Sequence, residues 1–347
     1  MPGPSVGVFS TRNPGSVALT ILGGDKYRVL KVSTPLPTFP TASDRELKIY
    51  EHLSKVNCTH QGQSLIRELY DLLDLQGPVG KHRCLVMQPM HMPLLEMTSL
   101  NLRPFDIPLL KMTAKRLLLT LDFLHTEAEI IHTDLKTDNL MLTLEDETML
   151  LDCAKAEAED PSPRKNIDDS RTIYKSRKFR RPTGGKRYGL PVLCDFGEAR
   201  IGKRQDPARS FNRTFIEPLR LYLKCRGAVL WTSGTWLDLF EGEHLLGDIF
   251  DIKGCHDPFK HLAMMAALIG RPPSEIYQTQ SAANAHIGAW IAHEDAALPL
   301  VSLESLEKRL SGQEKELYLQ SMSPMLKWLP EERWTARQLL EHPWLLE

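Results

Sequence analysis

His132-Thr133-Asp134-Leu135-Lys136-Thr137-Asp138-Asn139 is the stretch on which the reading of this chain turns. It lies within Ile130 to Leu144, where apolar, strand-like pieces flank a polar loop. Asp and Asn build turns, so a plain turn is one reading of the loop. The same residues also place a carboxylate at Asp134, an ammonium at Lys136 and an amide oxygen at Asn139 close together along the chain. Just upstream, Leu110, Ala114, Leu117, Leu118, Leu121 and Leu124 recur at helical spacing, which predicts a long helix over Ile107 to Thr126. Downstream, Leu190 to Cys194 reads as a strand that runs into Asp195-Phe196-Gly197, an Asp and then a Gly delivered at a strand end.

Further out, Lys26 to Ser33 reads as a strand with Tyr27, Val29 and Lys31 on one face and Arg28, Leu30 and Val32 on the other. Thr34 to Pro40 is proline-rich and must be loop. Ser43 then opens a helix that runs to about Lys55, with Ile49, Tyr50 and Leu53 on its apolar side and Glu46 in the middle of that side. A carboxylate facing the core needs a partner, and Lys31 is the natural one, although Glu46 could instead close a capping box on Ser43. His82 to Gln88 is a short apolar strand ended by Pro89. Helices are expected at His261 to Ile269, Leu303 to Leu310, Gln313 to Leu329 and Thr335 to Leu340. A strand-rich beginning followed by a mostly helical remainder predicts an α+β fold, a small mixed lobe and then a larger helical one.

His132 to Asn139 resembles the catalytic loop of the eukaryotic-type protein kinases, H-x-D-x-K-x-x-N, and Leu193 to Gly197 resembles their D-F-G strand end. Arg28-Val29-Leu30-Lys31 resembles the V-A-I-K of the small lobe, and Cys84 to Met90 the strand and hinge that hold adenine, where an ordinary core strand is the alternative. The resemblance implies ATP as phosphate donor and Mg2+ as metal. It implies that Asp134 orients the acceptor hydroxyl and Lys136 stabilises charge on the transferring phosphoryl group. Asn139 and Asp195 would hold the metal, and Lys31, fixed by Glu46, would hold the phosphates. Val29, Val17 at the end of a vestigial phosphate loop, the Gln88 carbonyl and the Met90 amide would meet the nucleotide, with Met87 as gatekeeper. The implied architecture is a bilobal kinase-like fold. Residues 1–14 would be a disordered N-terminus, 15–90 a truncated small lobe and 91–347 the large lobe. A charged insertion at about 154–189, acidic and then basic, is read as solvated and partly disordered, with a nuclear-import patch or a dock for an acidic partner as alternatives to a bland loop.

Thr133 stands where most serine/threonine kinases have Arg, and H-T-D-L-K is similar to the SR-protein kinases, particularly fungal ones. That likeness implies protein serine as acceptor, in Arg-Ser-rich substrates. Composition sets the wider bounds. The chain has 347 residues, is 42% hydrophobic and 25% charged, and carries a net charge of −1, which points to neither a nucleic-acid nor a membrane-surface binder. Six cysteines are scattered without a C-x-x-C pair, as in a reduced intracellular protein of cytoplasm or nucleus, and nothing calls for more than a monomer.

Two departures from the pattern stand out. The glycine-rich loop is reduced to Gly15-Ser16-Val17, with no recognisable strand before it. No A-P-E or D-x-W follows Gly197, so Arg333, the expected partner of the A-P-E Glu, would be buried without a partner or exposed by local unfolding. Codons for Trp231-Thr232-Ser233-Gly234-Thr235-Trp236, regrouped one base earlier, allow Val-Asp-Ile-Trp-Asn-Leu, as if a frame change had rewritten the stretch. These departures leave a second reading open, a catalytically impaired pseudokinase that acts as a binding protein. Trp334 and Trp344 read as core anchors.

Overall fold

The computed structural model describes residues 6–10, 16–21, 27–33, 42–77, 80–101, 104–168, 171–175, 177–183, 187–202, 239–241, 245, 258–271, 273 and 298–346. The chain forms two compact units, one of residues 1–94 and 138–201, the other of 95–137 and 202–347. This division differs from the expected one. The first break falls after Leu94 rather than residue 90, and the segment from Asp138 to Ile201 returns to the first unit.

The first unit is built on an antiparallel five-stranded sheet. Its strands are β1 (Val6–Ser10), β2 (Ser16–Ile21), β3 (Tyr27–Val32), β4 (Leu69–Gly77) and β5 (Gly80–Met87), in the order β1-β2-β3-β5-β4. Lys31 pairs with Val17 on one side and Leu85 on the other, so it sits in mid-sheet rather than on an edge. Helix α1 (Ala42–Leu53) is tied to β5 by Arg83, whose guanidinium meets Asp44 Oδ1 at 2.5 Å. A second, three-stranded sheet joins β6 (Met90–Pro93), β8 (Leu140–Thr143) and β11 (Pro191–Leu193) in the order β11-β8-β6; short strands β7 (Ile130–Ile131) and β12 (Arg200–Ile201) lie elsewhere in the chain.

Expectations for the N-terminus and for the charged insertion of this unit are corrected. The N-terminus is not wholly disordered, because Val6–Ser10 pairs residue for residue with β2, from Val6↔Thr20 to Ser10↔Ser16. A strand therefore does precede Gly15. Strand β4 has the Leu- and Asp-rich composition of a helix, yet pairing along the whole of β5 overrides that propensity. The charged insertion is also structured locally: its described residues form helix α4 (Thr148–Glu159) and the hairpin of β9 (Arg164–Asp168) and β10 (Arg171–Tyr174). Glu157 organises the turn after α4 by accepting from Ser162 N at 2.8 Å and Arg177 Nε at 2.8 Å.

The second unit is helical. It contains α2 (Leu94–Asn101, whose first residue belongs to the first unit), α3 (Ile107–Thr126), α5 (Pro258–Ile269), α6 (Leu303–Leu306), α7 (Gly312–Met322), α8 (Ala336–Leu340) and α9 (Pro343–Leu346). Helix α3 starts where Asp106 accepts from Leu109 N at 2.9 Å, with Pro108 in the first turn, and it buries all six residues of the predicted apolar stripe. Thr335 caps α8 reciprocally with Gln338, and Arg337 pins α8 to α3 through Asp122 at 3.2 Å.

Helix α6 is shorter than expected because the Glu307 carboxylate turns back to accept from the backbone amides of Arg309 and Leu310. Helix α7 gives way at Ser323 to a tighter 3-10 turn over Ser323–Met325, because Pro324 has no N–H with which to continue the α-helical bonding. Trp344 is fully buried edge-on to Tyr318, with the Lys111 ammonium 5.4 Å from its ring. Trp334, expected in the core, lies at the surface against His342. Among the described residues no helix is long and apolar enough to cross a membrane.

Candidate active site

Alternation along β3 puts Lys31 on the face that meets α1, and one turn into α1 the helix presents Glu46 to it. Lys31 Nζ lies 2.7 Å from Glu46 Oε2 and 2.9 Å from Asp195 Oδ1. Glu46 is fully buried, and its other oxygen accepts from Phe196 N at 3.2 Å. Both carboxylate oxygens are thus committed across the fold, and the capping-box role is not taken. Burial alone would lower the Lys31 pKa, but the charges of Glu46 and Asp195 outweigh it and hold the ammonium above its ordinary value.

Asp195 sits in left-handed backbone, φ 63°, a conformation that few residues other than Gly adopt and that functional sites tolerate. The neighbouring strands place it. Cys194 N donates to Asn139 O at 2.8 Å, so the end of β11 and the start of β8 set Asn139 opposite the residue before Asp195, both in the first unit. A carboxylate and an amide oxygen are the hard donors that Mg2+ prefers, so the pair fits that ion. Arg45 supports the turn by donating to Gly197 O at 2.9 Å and pairing with Glu198 at 2.8 Å. Tyr50 closes the floor edge-on to Phe196, and its hydroxyl donates to Arg67 O. Burial, with Glu46 next, raises the Tyr50 hydroxyl pKa well above its ordinary value, so it remains a donor.

Asp134 and Lys136 belong to the second unit, where Lys136 Nζ meets Asp134 Oδ2 at 2.9 Å. His132 is fully buried, and its Nδ1 accepts from Asp134 N at 3.4 Å. Thr133 has φ 64°, costly for a β-branched residue and another sign of a constrained loop.

The hinge differs from expectation. Gln88 N donates to Glu68 O at 3.1 Å, and Gln88 O accepts from Arg67 Nε at 2.9 Å, so one lone pair of the carbonyl expected to meet adenine is already taken. Met90 is buried in β6, and Val29 and Met87 are register partners across β3 and β5. Val17 is placed by its pairing with Lys31. The sequence reading missed Arg45, Arg67 and the Phe196 amide. Only Arg45 carried a signal, as the charged neighbour of Glu46.

Arg333 is also corrected. It is buried, and its guanidinium donates to Lys327 O at 2.7 Å and Trp328 O at 2.8 Å, so it is neither unpartnered nor exposed. Residues 203–238, with the Trp231–Trp236 stretch and the segment where A-P-E was sought, lie outside the described residues.

No family model matches the chain. A serine/threonine protein kinase of Aspergillus fumigatus is 36% identical over 309 residues, covering 87% of this chain and 75% of the relative. The serine/threonine-protein kinase SRPK of Physarum polycephalum is 24% identical over 360 residues, covering 95% of this chain and 82% of the relative. Protein kinase dsk1 of Schizosaccharomyces pombe is 32% identical over 149 residues, 42% of this chain and 27% of the relative.

Proposed function

Because the chain belongs to the serine/threonine protein kinases, ATP-dependent enzymes that act on protein substrates, we propose that it transfers the γ-phosphoryl group of ATP to serine in Arg-Ser-rich proteins. The observation that carries the reading is Lys31 held at once by Glu46 and by Asp195, 164 residues away along the chain. A cation held in this way is the kind of fixed charge that binding of the α- and β-phosphates would use.

In this reading Lys31 binds and orients those phosphates, and Glu46 keeps it charged and in place. Asp195 and the Asn139 amide would hold Mg2+, which when bound neutralises phosphate charge. Asp134 orients the serine hydroxyl and accepts its proton, and Lys136 offsets charge on the transferring group. Val29, Val17, the Met90 amide and the second lone pair of the Gln88 carbonyl would take the nucleoside. Transfer is direct and in line, with no covalent enzyme intermediate. The stretch 15–90 would serve as the small lobe and 91–347 as the large one, and the enzyme would act as a monomer without contacting nucleic acid.

The engagement of Gln88 O by Arg67 favours a second reading, a pseudokinase that binds partners and transfers nothing. Thermal denaturation with and without MgATP tests the first. A ligand bound only by the folded state raises its melting temperature, so the wild-type chain should be stabilised and Asp195→Ala should not. Equal melting of both proteins with and without MgATP would remove the nucleotide-binding reading.

A further inference from the structure

Beside Lys31 on the same face of β3, Val29 is where adenine would be expected to pack, yet Val29 is only 8% exposed. It is buried by the protein itself. Leu150 of α4, 6% exposed, packs on Val29, and Tyr27, Leu144 and Phe179 close around the pair. Leu144, Leu150 and Phe179 all come from the segment between Asn139 and Asp195.

The same segment crosses to the hinge. Phe179 stacks on His91 of β6 with ring centroids 6.0 Å apart, and Tyr188 meets that imidazole edge-on at 5.5 Å. His91 Nε2 lies 3.2 Å from Arg180 O. The Arg180 side chain then reaches back to α4, with Nε 2.7 Å from Asp152 and a terminal nitrogen 3.1 Å from Asp146 and 2.9 Å from Thr148 Oγ1. Arg177 makes a second tie, 2.8 Å from Glu157. Apolar side chains cover the Val29 face, and a latch that includes two ion pairs partly open to water, Arg180–Asp152 and Arg177–Glu157, holds them there. Such pairs are individually weak, so the latch can open.

We propose that α4 and the described strap residues 177–183 and 187–188 form an internal plug of the nucleotide site, with Leu150, backed by Phe179, lying on the face that adenine takes. The plug rests on the kinase reading given above and supplies its regulation. Binding of ATP requires α4 to leave Val29, and the apparent affinity is reduced by the fraction of molecules in which it has not. A plug closed about nine times in ten weakens binding about tenfold.

The test is calorimetric titration of MgATP into the full wild-type chain and into Leu150→Ala/Phe179→Ala. The plug predicts about tenfold tighter binding by the variant. Equal, measurable binding by both overturns the plug and leaves the kinase reading standing. Weaker binding by the variant also overturns it, because the two side chains would then be contacts of the nucleotide. No binding by either protein removes the plug together with the nucleotide reading. If the variant does not fold, the wild-type chain still decides. Cys153, one turn after Leu150 on α4, is buried, and its modification by a maleimide, mapped by peptide mass spectrometry, should rise several-fold with MgATP. Protection or no change overturns the plug.

Discussion

The Lys31 ammonium and the Glu46 carboxylate lie 2.7 Å apart, and Glu46 is the more deeply buried of the two, with its side chain 1% exposed against 21% for Lys31. Removing the cation is therefore worse than removing a surface charge, because it leaves a buried carboxylate supported only by Phe196 N. Lys31→Met should destabilise the fold by about 2–4 kcal/mol in urea denaturation, and adding Glu46→Gln should recover part of that loss. The sign of the pH dependence follows from the raised Lys31 pKa. Its contribution is complete below the unfolded-state value and is lost only as pH rises through the higher folded value. The difference between wild type and Lys31→Met should thus stay flat from about pH 6 to 9, and a decline within that window would contradict the pairing.

Arg333 gives a separate test in the helical unit. Its guanidinium serves two carbonyls, Lys327 O and Trp328 O. Arg333→Ala should cost about 2–4 kcal/mol, and Arg333→Lys, which cannot reach both with one planar fork, roughly half as much. Thermal denaturation of the two variants reads the difference.

Gly189, where the charged insertion returns to the sheet, should not tolerate a side chain. A Cβ there would stand 2.1 Å from Thr143 O, and the adjacent residue fixes the approach, with Leu190 N donating to Thr143 Oγ1 at 2.9 Å. Gly189→Ala should destabilise by about 2 kcal/mol or more, within the range for overpacking. A neutral substitution would mean that this end of the insertion is not held against β8.

In the helical unit, burial and then the neighbouring Glu307 raise the Glu241 pKa above the ordinary carboxylate value, despite a backbone hydrogen bond and Arg309 acting the other way. A carboxyl raised on folding contributes stability that is complete below its unfolded value and is lost as pH rises through the folded one. Glu241→Gln should therefore gain on the wild type as pH is raised from 4.5 toward neutrality. Urea midpoints at the two ends of that range give the measurement.

Much of the site was legible in the sequence because its parts obey local rules. Strand alternation set the face of Lys31, helical periodicity turned Glu46 inward, and the strand end delivered Asp195. What stayed hidden depends on partners distant in sequence. Arg67 reaches Gln88 through the pairing of strands, β4 is a strand only because β5 lies beside it, and Arg333 donates to the carbonyls of Lys327 and Trp328, which no sequence pattern marks. The insertion looked like solvated loop because composition reports charge and not pairing. Arg177 and Arg180 are matched by Glu157, Asp146 and Asp152, and that matching orders the segment.

Transfer of labelled γ-phosphate from ATP to an Arg-Ser-rich peptide, with Asp134→Asn as control, tests the central claim most directly. The kinase reading predicts incorporation on serine by the wild-type chain and a loss of at least about a hundredfold in the variant, the scale of a missing general base. No incorporation above the Asp134→Asn control, from wild-type protein shown to be folded, would contradict it and leave the pseudokinase reading.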